Sequence, residues 1–224
     1  MTRTDGTLAA LVKNDNKAEK IADGLIHVIG LALAVCGASA LMILSSRSSS
    51  FPTIASAGVY AASLVATLVF SAAYNMWPAS PLKCLLRRLD QAAIFLLIGG
   101  TYTAFLTRLL DSSVSLLALG VIWAIVIAGT LIKLTLPGRF ERLSVAAYLA
   151  LGWSGLVFFP TAIRVLPLTA LGLIGLGGLL YSAGVIFHLW ERLPFQNAIW
   201  HAFVLVAAGC HYGAVLDCLV VART

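Results

Sequence analysis

The sequence predicts an all-α membrane protein: a seven-transmembrane-helix bundle with its N-terminus cytoplasmic and its C-terminus outside. Three observations carry that expectation. Of 224 residues, 60% are hydrophobic and 11% charged, and mean hydropathy is +0.97. A soluble chain of this length buries too small a share of its surface to hide so much apolar area. The apolar residues also fall into seven continuous runs near the ~20-residue length of a membrane-spanning helix. Finally, these runs do not alternate with period two, as the strands of a membrane barrel do. A soluble enzyme, a secreted disulfide scaffold and a disordered regulator are excluded together.

The elements follow in order. Residues 1–20 form a polar tail of mixed charge, without the compact apolar core and small-residue cleavage site of a secretory signal. The transmembrane domain is expected over 21–221, with no second domain and no internal repeat. Span 1 covers 21–44, acts as the uncleaved insertion signal, and is followed by a serine-rich linker at 45–50. Span 2 covers 54–76 and is closed by Trp77-Pro78 and a short basic loop. Spans 3, 4 and 5 cover 89–109, 114–134 and 143–163. Span 6, 168–190, leads through Glu191-Arg192-Leu193-Pro194 to span 7, 197–221. A helix satisfies its own backbone hydrogen bonds, which a bilayer core demands.

Orientation follows from the asymmetry of Lys and Arg between the two sides. The tail and even-numbered loops hold eleven: Arg3, Lys13, Lys17, Lys20, Lys83, Arg87, Arg88, Lys133, Arg139, Arg142 and Arg192. The opposite side holds four, Arg47, Arg108, Arg164 and Arg223. The larger count faces the cytoplasm, which suggests a bacterial inner membrane protein. The net charge of +6 is spread over short loops, so it serves topology and attraction to anionic membrane lipids, with no nucleic-acid partner.

Ionisable residues inside spans are costly and face the bundle interior. Here they are Asp23, His27, Asp90, His188, His201, His211 and Asp217. Topology brings Ser71 and Asn75 of span 2, Asp90 of span 3, Asn197 and His201 of span 7, and Asp23 and His27 of span 1 to one membrane depth. The pairs Asp23/His27, Ser71/Asn75 and Asn197/His201 are each four residues apart, so each pair shares a helix face. A metal or water site between helices is built in this way.

With those residues in view, the chain resembles the hemolysin III family, within the progestin and adiponectin receptor superfamily. The resemblance is carried by Glu19 through Asp23 and His27 to Gly30, by Ser71-Ala-Ala-Tyr-Asn75, and by Asp90 to Thr103. It continues through Lys133 to Ser144, Tyr148 to Trp153, Tyr181 to Phe187, and Asn197 through His201 to His211. It implies a seven-helix bundle with a buried zinc site at the cytoplasmic end. Similar members present Ser-x-x-x-His on span 2, Asp on span 3 and His-x-x-x-His on span 7; three His hold zinc, and the Asp works through bound water. Ser71, Asp90 and His201 match that pattern. Asn75 and Asn197 stand where two of the His are expected.

That departure bears on the chemistry. Catalytic zinc keeps three good protein ligands and an open water position, and an amide oxygen is a far weaker ligand than imidazole. His201 and Asp90 supply two, so the site is a weakened one and no cofactor is expected; zinc is the alternative. An oxygen-rich Mg2+ or Ca2+ site would have only one carboxylate. The plainer reading is a hydrogen-bonded polar cluster of Asp90, His201, Asn75 and Asn197, extended by Asp23 and His27, that sets helix packing; contact with lipid headgroups is a third. Asp23 also suits an N-cap of span 1. His211 lies ten residues beyond His201, ~15 Å deeper, and His188 is expected at the interface. The glycines of span 6 (172, 175, 177, 178 and 184) point to close helix approach, and Cys36, Cys84, Cys210 and Cys218 to free thiols.

Two functions follow. The favoured one is a hemolysin III-like, non-catalytic membrane regulator or cytolysis-associated protein. The alternative, implied by the resemblance, is a zinc-dependent amidohydrolase of ceramide-like lipids, in which Asp90 positions water, Ser71 steadies the carbonyl oxygen and His201 holds metal. A retinal-type pump is excluded, because no lysine lies within span 7.

Overall fold

The computed structural model describes residues 17–48, 50–109, 113–136 and 140–221. Residues 1–16 of the tail, with Arg3 and Lys13, lie outside the described residues, as do Arg139 and Arg223. Among the described residues there are eight α-helices, one 3-10 segment and no strand. They are α1 (Lys17–Ser45), α2 (Phe51–Met76), α3 (Pro81–Leu109), α4 (Ser113–Thr135), α5 (Glu141–Trp153), the 3-10 segment Ser154–Phe158, α6 (Phe159–Val165), α7 (Leu168–Leu189) and α8 (Gln196–Leu219). Counting α5 to α6 as one span, seven segments are long and apolar enough to cross a membrane.

The pattern of burial explains why lipid is the solvent. On α1 the inward positions are Asp23, His27, Gly30, Ala34 and Leu41, whereas Ile21, Leu25 and Val28 are 63%, 58% and 69% exposed. Polar and small residues face the bundle and bulky apolar ones face out, the reverse of a soluble helix.

Helix α2 ends where Trp77, preceding Pro78, takes an extended conformation. Helix α3 starts earlier than hydropathy suggests, so Lys83, Arg87 and Arg88 ride on its first turns instead of a loop. Span 5, read from hydropathy as one continuous helix, is broken. Pro160 has no N–H to bond the carbonyl one turn back, and the chain tightens into the 3-10 segment. The carbonyls this releases find other donors. Tyr102 of α3 donates to the Leu151 carbonyl at 2.8 Å and contacts the Ser154 hydroxyl at 2.9 Å, and Ser154 donates to Leu151 at 2.6 Å. Tyr102→Phe removes the donor that reaches the break from α3. We expect a loss of ~1 kcal/mol, read as a lowered unfolding midpoint in detergent with the helical content unchanged.

Helix α1 packs on α2 and α8, α2 on α3, α3 on α4, and α7 on α8, so that α1 and α8 close a ring. The α2–α3 crossing is tight because Gly100 has no Cβ: one placed there would collide with the Ser63 hydroxyl and lie 3.2 Å from the Tyr60 backbone. On α7 the expected close approach holds at Gly177, against His211, and at Gly184, against Trp200 and Phe203. Gly172 and Gly175 meet no neighbour within 4 Å. Span 5 touches α3 and α7 only sparsely, and a cavity of about 930 Å³ opens beside it.

Candidate functional site

Helices α1, α3 and α8 begin, and α2 ends, at the same end of the bundle. Asp23 and His27 stand one turn apart on the inner face of α1, both buried. His201 projects from the second turn of α8. Its Nδ1 lies 2.6 Å from Asp23 Oδ1, and its Nε2 lies 3.5 Å from the Asn75 Nδ2. The Asn75 amide donates to the Ser71 carbonyl at 2.9 Å, on its own helix. The His27 ring is tilted against that of His201, with centroids 4.5 Å apart. His27 Nε2 is 3.6 Å from Asp23 Oδ2 and has no hydrogen-bond partner among the described residues.

Ser71, Asn75, Asp90, Asn197 and His201 all line the 930 Å³ cavity, and His27 reaches its wall. The Ser71 hydroxyl interacts with the Asp90 carboxyl group. The hydrogen-bonded partner of His201 is therefore Asp23, on the adjacent helix of the ring, while Asp90 is served by Ser71. Asp23 is not an N-cap: α1 already runs from Lys17, which places Asp23 in its second turn. His188 is exposed and its ring lies 4.9 Å from that of Trp200. His211 sits against Tyr181, with centroids 5.4 Å apart, deeper along α8. Asp217 is engaged by the Thr169 hydroxyl far from this cluster. The four cysteines are free.

Lys133, expected among the loop charges, lies instead in the last turn of α4. It is 3% exposed and lines the cavity, near the Arg87–Glu141 ion pair at the same end. Its place inside the fourth apolar window was the available signal: the helix carries the residue back against the bundle before it ends.

Zinc in the pattern implied by the motifs does not fit these residues. Positions 71, 75, 90, 197 and 201 supply one imidazole, one carboxylate, one hydroxyl and two amides, where zinc takes imidazole, thiolate or carboxylate. The Asn75 NH2 group, moreover, faces His201 Nε2, and an NH2 group cannot ligate.

Seven apolar helices around a cavity, with Asp23, His27, Asp90 and His201 turned inward at one end, define an integral membrane protein of the helical-bundle class. Residues 16–212 match the family described as Haemolysin-III related, and the chain belongs to that family. It is 34% identical over 198 residues to Hemolysin-3 of Bacillus cereus, covering 88% of this chain and 90% of that protein. It is 32% identical over 198 residues to the Hemolysin-3 homolog of Bacillus subtilis (strain 168), covering 88% and 93%. At greater distance it is 26% identical over 165 residues to the Monocyte to macrophage differentiation factor of Homo sapiens, covering 71% and 68%. The distant match agrees with the wider superfamily indicated by the motifs.

Proposed function

We propose that this haemolysin-III related protein is a non-hydrolytic membrane regulator that receives an amphiphilic lipid in its cavity, headgroup against Ser71, Asp90 and His201. The observation that carries this reading is Asn75, whose amide occupies the place of an imidazole and is held by the Ser71 carbonyl. The cavity supports it in size, since 930 Å³ falls within the ~300–1,000 Å³ of small-molecule sites. Away from the polar end its wall is apolar, with Ile94, Ile98, Phe105, Leu149 and Leu156, and Lys133 offers a cation to an acceptor-rich headgroup. We place the protein in a bacterial cytoplasmic membrane with the site on the cytoplasmic side, on the Lys and Arg asymmetry and the Bacillus relatives.

The test uses the full chain in nanodiscs and a fluorescent short-chain ceramide as probe. Saturable binding without release of fatty acid is the expected result. Asp90→Asn should weaken binding ~10-fold, the loss of one charge-assisted hydrogen bond. Turnover that stops on chelation and in Asp90→Ala would overturn the reading in favour of an amidohydrolase.

A further inference from the structure

One ligand atom from each of Asp23, His27 and His201 lies within 4.8 Å of the other two. Two imidazole nitrogens and a carboxylate oxygen form a donor set that zinc favours and that Mg2+ and Ca2+, which prefer oxygen, do not. Zinc bonds of ~2.1 Å in a tetrahedron set ligand atoms ~3.4 Å apart. The 2.6 Å contact between His201 Nδ1 and Asp23 Oδ1 must open modestly, and the 3.6 Å separation of His27 Nε2 and Asp23 Oδ2 is nearly right. His27 supplies an independent sign: its Nε2 is buried without a hydrogen bond among the described residues, and its nearest acceptor, Asp23 Oδ2, stands off at 3.6 Å. A metal gives that atom a partner and takes the position of the proton shared by Asp23 and His201.

We infer that Asp23, His27 and His201 form a zinc site that clamps α1 to α8, at the wall of the cavity and on the Nδ1 side of the His201 ring. The family pattern places its span 2 ligand at position 75, which here faces Nε2, the opposite edge of the same ring. Of the three ligands, His27 and His201 line the cavity and Asp23 does not, whereas Ser71 and Asp90 line it and are not ligands. The metal therefore holds two helices together where the ring of helices closes, with a fourth position left for water. This inference is independent of the lipid-binding reading: the clamp exists whether or not the cavity is filled.

The experiment strips the full-length protein with chelator in detergent and returns Zn2+ alone, with metal content and unfolding midpoint as readouts. About one zinc per chain and a raised midpoint are expected. His27→Gln and Asp23→Asn should each weaken zinc binding ~10²-fold, one ligand's share of a structural site. Asp90→Asn and Ser71→Ala should leave zinc content unchanged. A wild-type protein that takes up no zinc overturns the inference. So does zinc that survives both His27→Gln and Asp23→Asn, or zinc that is lost with Asp90→Asn. Unmodified protein loaded with Co2+ guards against misfolded variants: two paramagnetically shifted imidazoles support the clamp, and a single one overturns it.

Discussion

Replacing Asn75 and Asn197 together by His is expected to create a zinc site in the cavity that binds ~10⁴-fold more tightly than the wild-type positions do. A structural zinc site is worth ~10–16 kcal/mol over about four ligands, so each imidazole contributes ~3 kcal/mol, about 10²-fold, and two contribute about 10⁴-fold. The geometry favours the gain. His201 Nε2 already points at position 75, at 3.5 Å from the Asn75 amide, and Asn197 sits one helical turn before His201 on the cavity wall. The measurement is a zinc titration in a His27→Ala background, so that the helix clamp does not contribute. No gain over that background would show that something besides the two missing imidazoles keeps zinc out of the cavity, and the account of Asn75 would fail.

His201→Ala should destabilise the metal-free protein by ~3–5 kcal/mol. The substitution leaves the Asp23 carboxylate buried with His27 at 3.6 Å as its remaining ion-pair partner among the described residues, and breaking a buried pair by removing one partner costs that much because the other is stranded. Removing both partners is milder. Asp23→Leu combined with His201→Ala should recover a large part of the loss, since an apolar pair strands no charge. The check is a double-mutant cycle on unfolding free energy in chelator. A single substitution costing less than ~1 kcal/mol, or costs that simply add, would show that the 2.6 Å contact does not couple α1 to α8.

Much of the fold was legible in the residues. The continuous runs that become α1 to α4, α7 and α8 admit one structure in a bilayer, because the backbone must satisfy itself. Span 5 was less legible. Pro160 was visible, yet the length of the break depends on Tyr102 reaching across from α3 to the Leu151 carbonyl, a contact 49 residues distant in sequence. The site divides in the same way. Spacing of four put Asp23 with His27, Ser71 with Asn75 and Asn197 with His201, since a helix repeats its face at that interval. Spacing did not pair His201 with Asp23 over Asp90, nor bury Lys133, because both outcomes rest on how a helix is rotated against its neighbour.

By itself, then, the sequence determined a seven-helix membrane protein of the haemolysin-III related family, with scarce polar residues gathered at one end and two amides where imidazoles were expected. Those features are local: composition, run length and the helical repeat fix them. The tertiary structure alone decided that the two edges of one imidazole face different helices, Nδ1 toward Asp23 on α1 and Nε2 toward Asn75 on α2. Ring orientation is set by packing among helices far apart in the chain, and no local periodicity encodes it.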